Sequence, residues 1–169
     1  MNDVQTTLLQ RLKNSRKEDR GATALIVAVI LVVLIGIAAL AIDIGYAMLT
    51  RTQLQNVADS AALAATRNLG HIYEGLSVED QRQFVATPQD LKPAANVIAQ
   101  ENEAGGAPIA IDYDDIIVGR WNSASRLLTP TMATPDAIRV TARRDASANG
   151  PISTFFARIF DINTLSLTA

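Results

Sequence analysis

Residues 21–42 form an apolar run, GATALIVAVILVVLIGIAALAI, that contains no charged residue. As an α-helix, a run of this length spans about 33 Å, which matches the roughly 30 Å of hydrocarbon in a bilayer. Most of its side chains are Leu, Ile or Val, which favour insertion by roughly 4–8 kcal/mol in total. The one polar side chain is Thr23, whose hydroxyl can bond back to a helix carbonyl. The run therefore predicts a transmembrane helix over residues 21–42.

The same run has two other interpretations, a buried core helix and a cleaved secretory signal. A buried core helix can be this apolar, but rarely over such a length without a charge. A cleaved secretory signal is the stronger rival, since Ala39-Leu40-Ala41 has the small-x-small form of a cleavage site. The run is nevertheless longer than the ~7–15 residues of a usual signal core, so we expect an uncleaved anchor.

The charges that flank the run predict its orientation. Five basic residues precede it, at Arg11, Lys13, Arg16, Lys17 and Arg20. The far side begins with Asp43, and its first basic residue is Arg51. Lys and Arg stay preferentially in the cytoplasm, so residues 1–20 are predicted to be a cytoplasmic basic tail. No second apolar run follows, which predicts a single-pass protein with residues 43–169 on the outer side of the membrane. The absence of cysteine fits a bacterial envelope protein.

The helical pattern continues past the run, over residues 43–70. Leu54, Ala58, Ala61 and Ala65 recur at helical spacing, and Gly70 is a plausible C-cap. We call these four residues the alanine stripe. Small side chains let another helix approach closely. The sequence leaves two partners open for the stripe, the chain's own outer domain or another subunit, which includes a second copy.

The remaining residues, 71–169, predict a small domain of mixed helices and strands. A helix is expected from Pro93 to Ala104, ended by Gly105-Gly106. Strands are expected near residues 115–121, 138–143 and 163–169, with a turn-rich connection between the first two. Residues 152–160 read as a short helix that buries Phe155, Phe156 and Ile159. The predicted fold class is α+β, a long N-terminal helix with a small mixed extracytoplasmic domain.

Composition and motifs argue against a chemical or nucleic-acid-binding role. The chain has no cysteine, one histidine (His71) and a net charge of -2. The acidic group at Asp112, Asp114 and Asp115 lacks the spacing of a calcium loop and is expected to form a turn. The stretch from Asp145 to Asn149 is expected to be a polar loop. We therefore expect no catalytic residues, no metal, no cofactor and no nucleic-acid partner.

Asp43 is the most notable charged residue, because ionisable groups near a membrane span are often functional. Its position at the boundary favours a simple interpretation, that it marks the outer end of the span. A contact with a partner's helix is the alternative.

The segment around Asp43, AIDIGYAMLTRTQLQNVADSAALAA, resembles the N-terminal module of TadG-like proteins of the tight-adherence (Flp) pilus assembly system. The residues that carry the resemblance are Arg20, Gly21, Asp43, Gly45, Leu54, Gln55, Ala58, Asp59, Ala61, Ala62 and Leu63. Three later segments, at residues 118–121, 137–144 and 155–157, are similar to the region that follows in that family. The resemblance covers roughly residues 20–169. Longer family members continue into a von Willebrand A-like domain, which does not follow here.

The resemblance implies a non-catalytic, single-pass membrane component of a Tad/Flp-type pilus assembly. Its implied partners are the lipid bilayer, other pilus-assembly proteins and, through the small-residue faces, a second copy of the chain. The alternative is a pilin-like or pseudopilin subunit that polymerises through its apolar helix. Prepilins are cut after a glycine with glutamate five residues on. Counting from Gly21, that position is Ile26, so we expect no such processing.

Overall fold

The structure, a computed structural model, describes the backbone of residues 2–169 and the side chains of residues 21–169. The chain divides into two compact units, Met1–Ile42 and Asp43–Ala169. Helix α1, Asn2–Glu74, contributes to both units. The predicted roles of the basic residues in 1–20, Arg20 included, depend on side chains outside the described residues.

The described part of the first unit is the apolar run. Its large side chains lie on the surface on every face of the helix, for example Leu25 at 68% exposed and Leu34 at 59% exposed. None of its most apolar 18-residue stretch is buried, and among the described residues it belongs to one helix long and apolar enough to cross a membrane. A core helix would be covered by its own domain, so that interpretation of the run is wrong.

In the second unit α1 ends at Glu74, one turn beyond the predicted end at Gly70. Ile72 and Tyr73 pack against a core cluster, and this burial extends the helix. The side chain of Gln81 donates to the carbonyl of Tyr73 at 2.9 Å, which satisfies one of the free carbonyls at the helix end.

Two further helices follow, α2 (Val78–Gln83) and α3 (Pro88–Gln100). The predicted start of α3 at Pro93 is wrong, because Pro93 lies inside the helix. The start is set by Thr87, whose backbone N–H and hydroxyl donate to the Asp90 carboxylate at 2.9 and 2.6 Å. Pro88 occupies the first helical position, where a missing N–H is not needed.

A tight hairpin follows α3. Strand β1 (Glu103–Ala104) pairs antiparallel with β2 (Ala107–Pro108), and Gly105 and Gly106 between them have φ of 61° and 73°. Two successive positive φ values suit the turns that join tightly connected strands. The pair of glycines therefore makes a hairpin turn, where the sequence predicted the end of a helix.

The largest sheet has three antiparallel strands in the order β4-β3-β5. These are β3 (Ile116–Asn122), β4 (Leu127–Pro130) and β5 (Ala137–Val140). Strands β3 and β5 confirm the expected alternation, with Ile116, Val118 and Val140 buried. Strand β4 lies in the segment that was predicted to be a connection. The sequence does not reveal it because Leu127 is exposed, so the strand has no alternation of buried and exposed side chains.

Two short antiparallel pairs complete the second unit. Strand β6 (Arg143–Arg144) pairs with β9 (Leu167–Thr168), and β7 (Ile152–Ser153) pairs with β8 (Thr164–Leu165). Two 3-10 turns precede β3 and follow β7, at Tyr113–Asp115 and Ala157–Phe160. The helix predicted over 152–160 is therefore wrong, and its three expected core residues lie on the surface. Phe155, Phe156 and Ile159 are 49%, 38% and 77% exposed.

The core lies where α1 meets α3 and the strands. All four residues of the alanine stripe are buried, together with Ala95 and Ala99 of α3 and five isoleucine, valine and alanine residues from the strands and their flanks, at Ile109, Ile111, Ile116, Val140 and Ala142. A smaller cluster contains Leu69, Ala86, Leu91 and Val118. The α+β fold class is confirmed.

Candidate functional site

Asp43 is buried, with 3% of its surface exposed, at the first position of the second unit. Its two carboxylate oxygens accept three hydrogen bonds from consecutive backbone N–H groups far along the chain. Phe155 donates to Oδ1 at 2.7 Å, and Phe156 and Ala157 donate to Oδ2 at 2.9 and 2.6 Å. We call this arrangement the Asp43 clamp.

The backbone N–H groups that bind Asp43 have no acceptor within their own segment. The 3-10 turn Ala157–Phe160 starts at these N–H groups, and the first donors of such a turn have no internal acceptor. A carboxylate is the strongest acceptor a side chain offers, and it also complements the positive end of the turn. Asp43 therefore caps a turn more than a hundred residues away in sequence.

Burial alone would raise the pKa of Asp43, but opposing interactions outweigh it. The backbone N–H groups of Phe155, Ala157 and Phe156, with a smaller contribution from the charge of Arg158, hold the pKa of the Asp43 carboxyl below its ordinary value of 3.8. The group is thus an anion at neutral pH, and all three donors face a full negative charge. Asp43 therefore does more than mark the outer end of the predicted span, and its carboxylate is already occupied within its own chain rather than by a partner's helix.

The same face of α1 holds the β1–β2 hairpin one to three turns further on. The Tyr46 hydroxyl donates to the carbonyl of Gly105 at 3.1 Å, and the N–H of Gly105 donates to the Gln53 side chain at 2.9 Å. From the other side, Arg144 donates to the carbonyl of Ala104 at 2.7 Å. The Tyr46 ring also meets the edge of the Phe155 ring, at 5.3 Å between centroids, which joins this attachment to the clamp.

Alanine at Gly105 is expected to destabilise the second unit by about 2–4 kcal/mol, because left-handed backbone and crowding act together. A Cβ at this position would lie 3.1 Å from side-chain carbons of both Thr50 and Ile152. The matched control is Gly106→Ala, which has a similar φ but open space, and should cost about 1–2 kcal/mol. Thermal unfolding of the full-length variants measures both. Equal losses for the two would show that α1 does not press on the hairpin.

The structure brings only some of the predicted motif residues together. Leu54, Ala58 and Ala61 lie in the core with Val57, at 4% exposed or less. Ala62 is half-buried at the core's edge, whereas Leu63 is 71% exposed. Gln55 and Asp59 are exposed and form a hydrogen bond of 3.2 Å with each other. Gly21 and Gly45 are exposed, with open space around the position of a Cβ.

The question of what covers the alanine stripe is therefore answered within the chain. Ala58, Ala61 and Ala65 belong to the same core cluster as Ala95 and Ala99 of α3. Side chains of this size let helix axes approach closely. The three side chains are buried within their own chain, so the structure favours the first of the two partners that the sequence left open.

Two family models match the chain. The model described as Flp pilus-assembly TadE/G-like covers residues 21–68, and the model described as Tad-like Flp pilus-assembly covers residues 45–169. The chain belongs to the Tad-like Flp pilus-assembly family. No curated protein and no solved structure matches it. The resemblance seen in the sequence is confirmed, and with the apolar helix it makes the chain a membrane protein related to pilus assembly.

The charged side chains around Arg143 in the Tad-like chain form ion pairs and hydrogen bonds that hold loops and strands together. Arg143 binds Asp115 at 2.7 Å and Asp145 at 3.4 Å, and the hydrogen bond to Asp115 is the main reason why the pKa of Arg143 is raised. Asp145 accepts from the hydroxyl and N–H of Ser147, which lowers the pKa of Asp145 and holds the expected polar loop. Among the side chains of residues 21–169, no group of His, Asp or Glu is arranged to hold a metal ion.

Sequence reasoning missed the partners of Asp43 in this Tad-like chain, and also Tyr46, Gln53 and Arg144. A signal existed for the first of these. The motif residues at 43 and at 155–157 were both recognised, but as separate segments. Tyr46, Thr50, Gln53 and Leu54 follow Asp43 at spacings of three and four, so the buried face of α1 begins as a polar stripe that an apolar pattern does not reveal.

Proposed function

We propose that this Tad-like chain is a non-catalytic, single-pass inner-membrane component of Flp-type pilus assembly. Residues 1–20 face the cytoplasm, residues 21–42 span the bilayer, and the unit Asp43–Ala169 lies in the periplasm. The family match supports the pilus-assembly part of the proposal. The uncharged run and the excess of basic residues before it support the topology.

The Asp43 clamp is the observation that carries the anchoring role. Asp43 is the residue after Ile42, so no linker residue separates the span from the folded unit. The clamp bonds this first residue to Phe155, Phe156 and Ala157 near the other end of the chain. A unit that closes on the residue next to its membrane span is suited to holding a surface at the membrane, where other assembly proteins can dock.

The non-catalytic role is supported by what the charged side chains do. Arg144 is buried, and its guanidinium donates hydrogen bonds to the carbonyls of Ala104 and Gly150. Arg143 is shared by Asp115 and Asp145. His71 lies on the surface beside Glu74, at 3.2 Å. These groups are engaged in holding backbone and loops, as expected of a structural component.

The topology can be tested with single cysteines, because the chain has none of its own. Ser123→Cys lies at an exposed loop position of the second unit, and Ser15→Cys lies in the basic tail. In intact spheroplasts, a membrane-impermeant maleimide should label Ser123→Cys at least about tenfold more than Ser15→Cys, because the bilayer shields the cytoplasmic side. Detergent lysis should make the two equal. Labelling of Ser15→Cys alone in intact spheroplasts would contradict the proposed orientation.

The pilin-like alternative makes a different prediction about mass and location. A subunit that polymerises through its apolar helix must leave the bilayer after processing. We expect the intact mass of the membrane-extracted protein to include residues 1–21. Loss of these residues, with the product in sheared filaments, would favour the alternative.

A further inference from the structure

Residues 155–162 form an exposed apolar segment on the surface of the second unit. Five of its eight residues are large and apolar, and three of the four phenylalanines of the chain lie here. We call these five residues the aromatic patch, and their exposed fractions are 49%, 38%, 77%, 75% and 49% for Phe155, Phe156, Ile159, Phe160 and Ile162. Exposed apolar side chains scattered singly need no explanation, but a concentration of this kind marks a binding surface.

The position of the patch in the chain identifies what covers it. Asp43 directly follows the apolar run, and it accepts hydrogen bonds from Phe155 and Phe156 of the patch at 2.7 and 2.9 Å. One peptide unit, one aspartate side chain and one hydrogen bond separate Ile42 from the backbone of Phe155, which limits the distance to about 10 Å. The interfacial layer of a bilayer is roughly 5–8 Å thick on each side. With residues 21–42 in the hydrocarbon, the start of the patch at Phe155 lies within roughly 10 Å of the hydrocarbon edge, at or just beyond this layer.

We propose that the aromatic patch inserts into the lipid interface of the periplasmic leaflet and forms a second membrane contact beside the transmembrane helix. The proposal rests on the span described under the proposed function. Its ligand is the boundary between acyl chains and headgroups. Phenylalanine and isoleucine gain from contact with the acyl chains, and the charged residues beside them in the chain, Arg158 and Asp161, are exposed and suit the headgroup layer.

The surrounding side chains fit the same occupant. Tyr46, whose ring packs on Phe155, places an amphipathic ring next to the patch. Tyrosine is typical of membrane interfaces. Ile44, Met48 and Leu49 of α1 are also more than half exposed, so the helix stays apolar on its outer faces for a further two turns after Asp43. These residues add exposed apolar side chains to the part of the second unit that directly follows the span in the chain.

The test uses the full-length protein in phosphatidylcholine–phosphatidylglycerol vesicles, with tryptophan as a reporter of contact with lipid. The native tryptophan is removed by Trp121→Phe, and single reporters are introduced by Phe160→Trp in the patch, Leu31→Trp in the span and Val78→Trp as the control. Val78 is 67% exposed, similar to Phe160, but lies beyond the far end of α1. That is about 45 Å along the helix from Asp43.

Lipids brominated in the acyl chains should quench the Phe160→Trp and Leu31→Trp reporters at least about threefold more than Val78→Trp, as contact with the acyl chains requires. Aqueous iodide should quench in the reverse order. Quenching of Phe160→Trp by iodide to the extent of Val78→Trp would overturn the proposal. So would shielding from both quenchers, which would mean that a second protein covers the patch.

The Leu31→Trp reporter tests the membrane anchor separately from the lipid contact of the aromatic patch. If Leu31→Trp is quenched by brominated lipid and Phe160→Trp is not, the patch does not bind lipid but the membrane anchor stands. If neither is quenched, the anchor fails and the inference fails with it. Ile159→Trp, at another highly exposed position, repeats the measurement should Phe160→Trp fold poorly.

Discussion

Replacement of Asp43 with alanine is expected to destabilise the second unit strongly. The change leaves the backbone N–H groups of Phe155, Phe156 and Ala157 without an acceptor at a site that is buried in the native chain. Buried donors without an acceptor are costly. The three hydrogen bonds that the substitution removes are also stronger than ordinary ones, because their acceptor is charged. We expect the unfolding temperature of the full-length protein to fall by about 10 °C or more.

The measurement is thermal unfolding in detergent micelles, followed by the fluorescence of Trp121, which lies in the second unit. The matched control is Asp59→Ala on the same helix, where the carboxylate is exposed and bonds only to Gln55. That variant should unfold within about 2 °C of the native protein, as surface substitutions usually do. A similar small change for Asp43→Ala would show that the clamp contributes little to folding.

The clamp also gives the stability of the second unit an acid dependence. The pKa of Asp43 in the folded protein is below 3.8, the ordinary value that applies in the unfolded chain. The folded state therefore prefers the anion, so this contribution is fully present above that value and is lost as the pH falls through the folded pKa. We expect Asp43→Asn to unfold with a weaker dependence on pH below about 4 than the native protein. Parallel curves for the two proteins would contradict the ionised clamp.

Leucine at Ala61 is also expected to destabilise the second unit, because the position is fully buried between α1 and the rest of the core. Extra carbon atoms in a packed interior force neighbouring side chains and backbone apart, at about 1–3 kcal/mol. The same buried cluster includes Ala95 and Ala99 of α3, whose single methyl groups cannot turn aside to make room. Denaturant unfolding of the full-length protein, followed by Trp121 fluorescence, measures the loss.

Ala64→Leu provides the matched control for the same change of side chain on the same helix. Ala64 is half-buried and lies outside both core clusters. The control should change the free energy of unfolding by less than about 0.5 kcal/mol. If Ala61→Leu folds as stably as Ala64→Leu but fails to assemble with other proteins, the stripe would after all face a partner.

Predictions from the sequence succeeded where the signal is local or repeats along one element. Ile116 and Val118 alternate with their neighbours in β3, and Ala58, Ala61 and Ala65 repeat at helical spacing, so the strand and the buried helix face could both be recognised. They failed at element ends. Gly70 is a good helix terminator in isolation, but burial of Ile72 and Tyr73 outweighs it. Pro93 is a good helix start, but the capping interaction of Thr87 with Asp90 comes first.

The segment around Phe155 was also predicted wrongly, because its apolar side chains were expected to be buried and are exposed. Its phenylalanines were expected in the core because apolar side chains usually are. Their exposure is decided by Asp43, which fixes the backbone at 155–157 and leaves the rings outside. No pattern within residues 152–160 contains that information.

The candidate membrane span could be predicted from the sequence alone, because insertion is close to a sum of side-chain contributions over one continuous helix. The α+β class followed from periodicities of the same additive kind. Tertiary structure alone decided what Asp43 binds and which surface the alanine stripe packs on. These depend on groups brought together from distant positions, where one hydrogen bond or one methyl group in the wrong place outweighs any local preference.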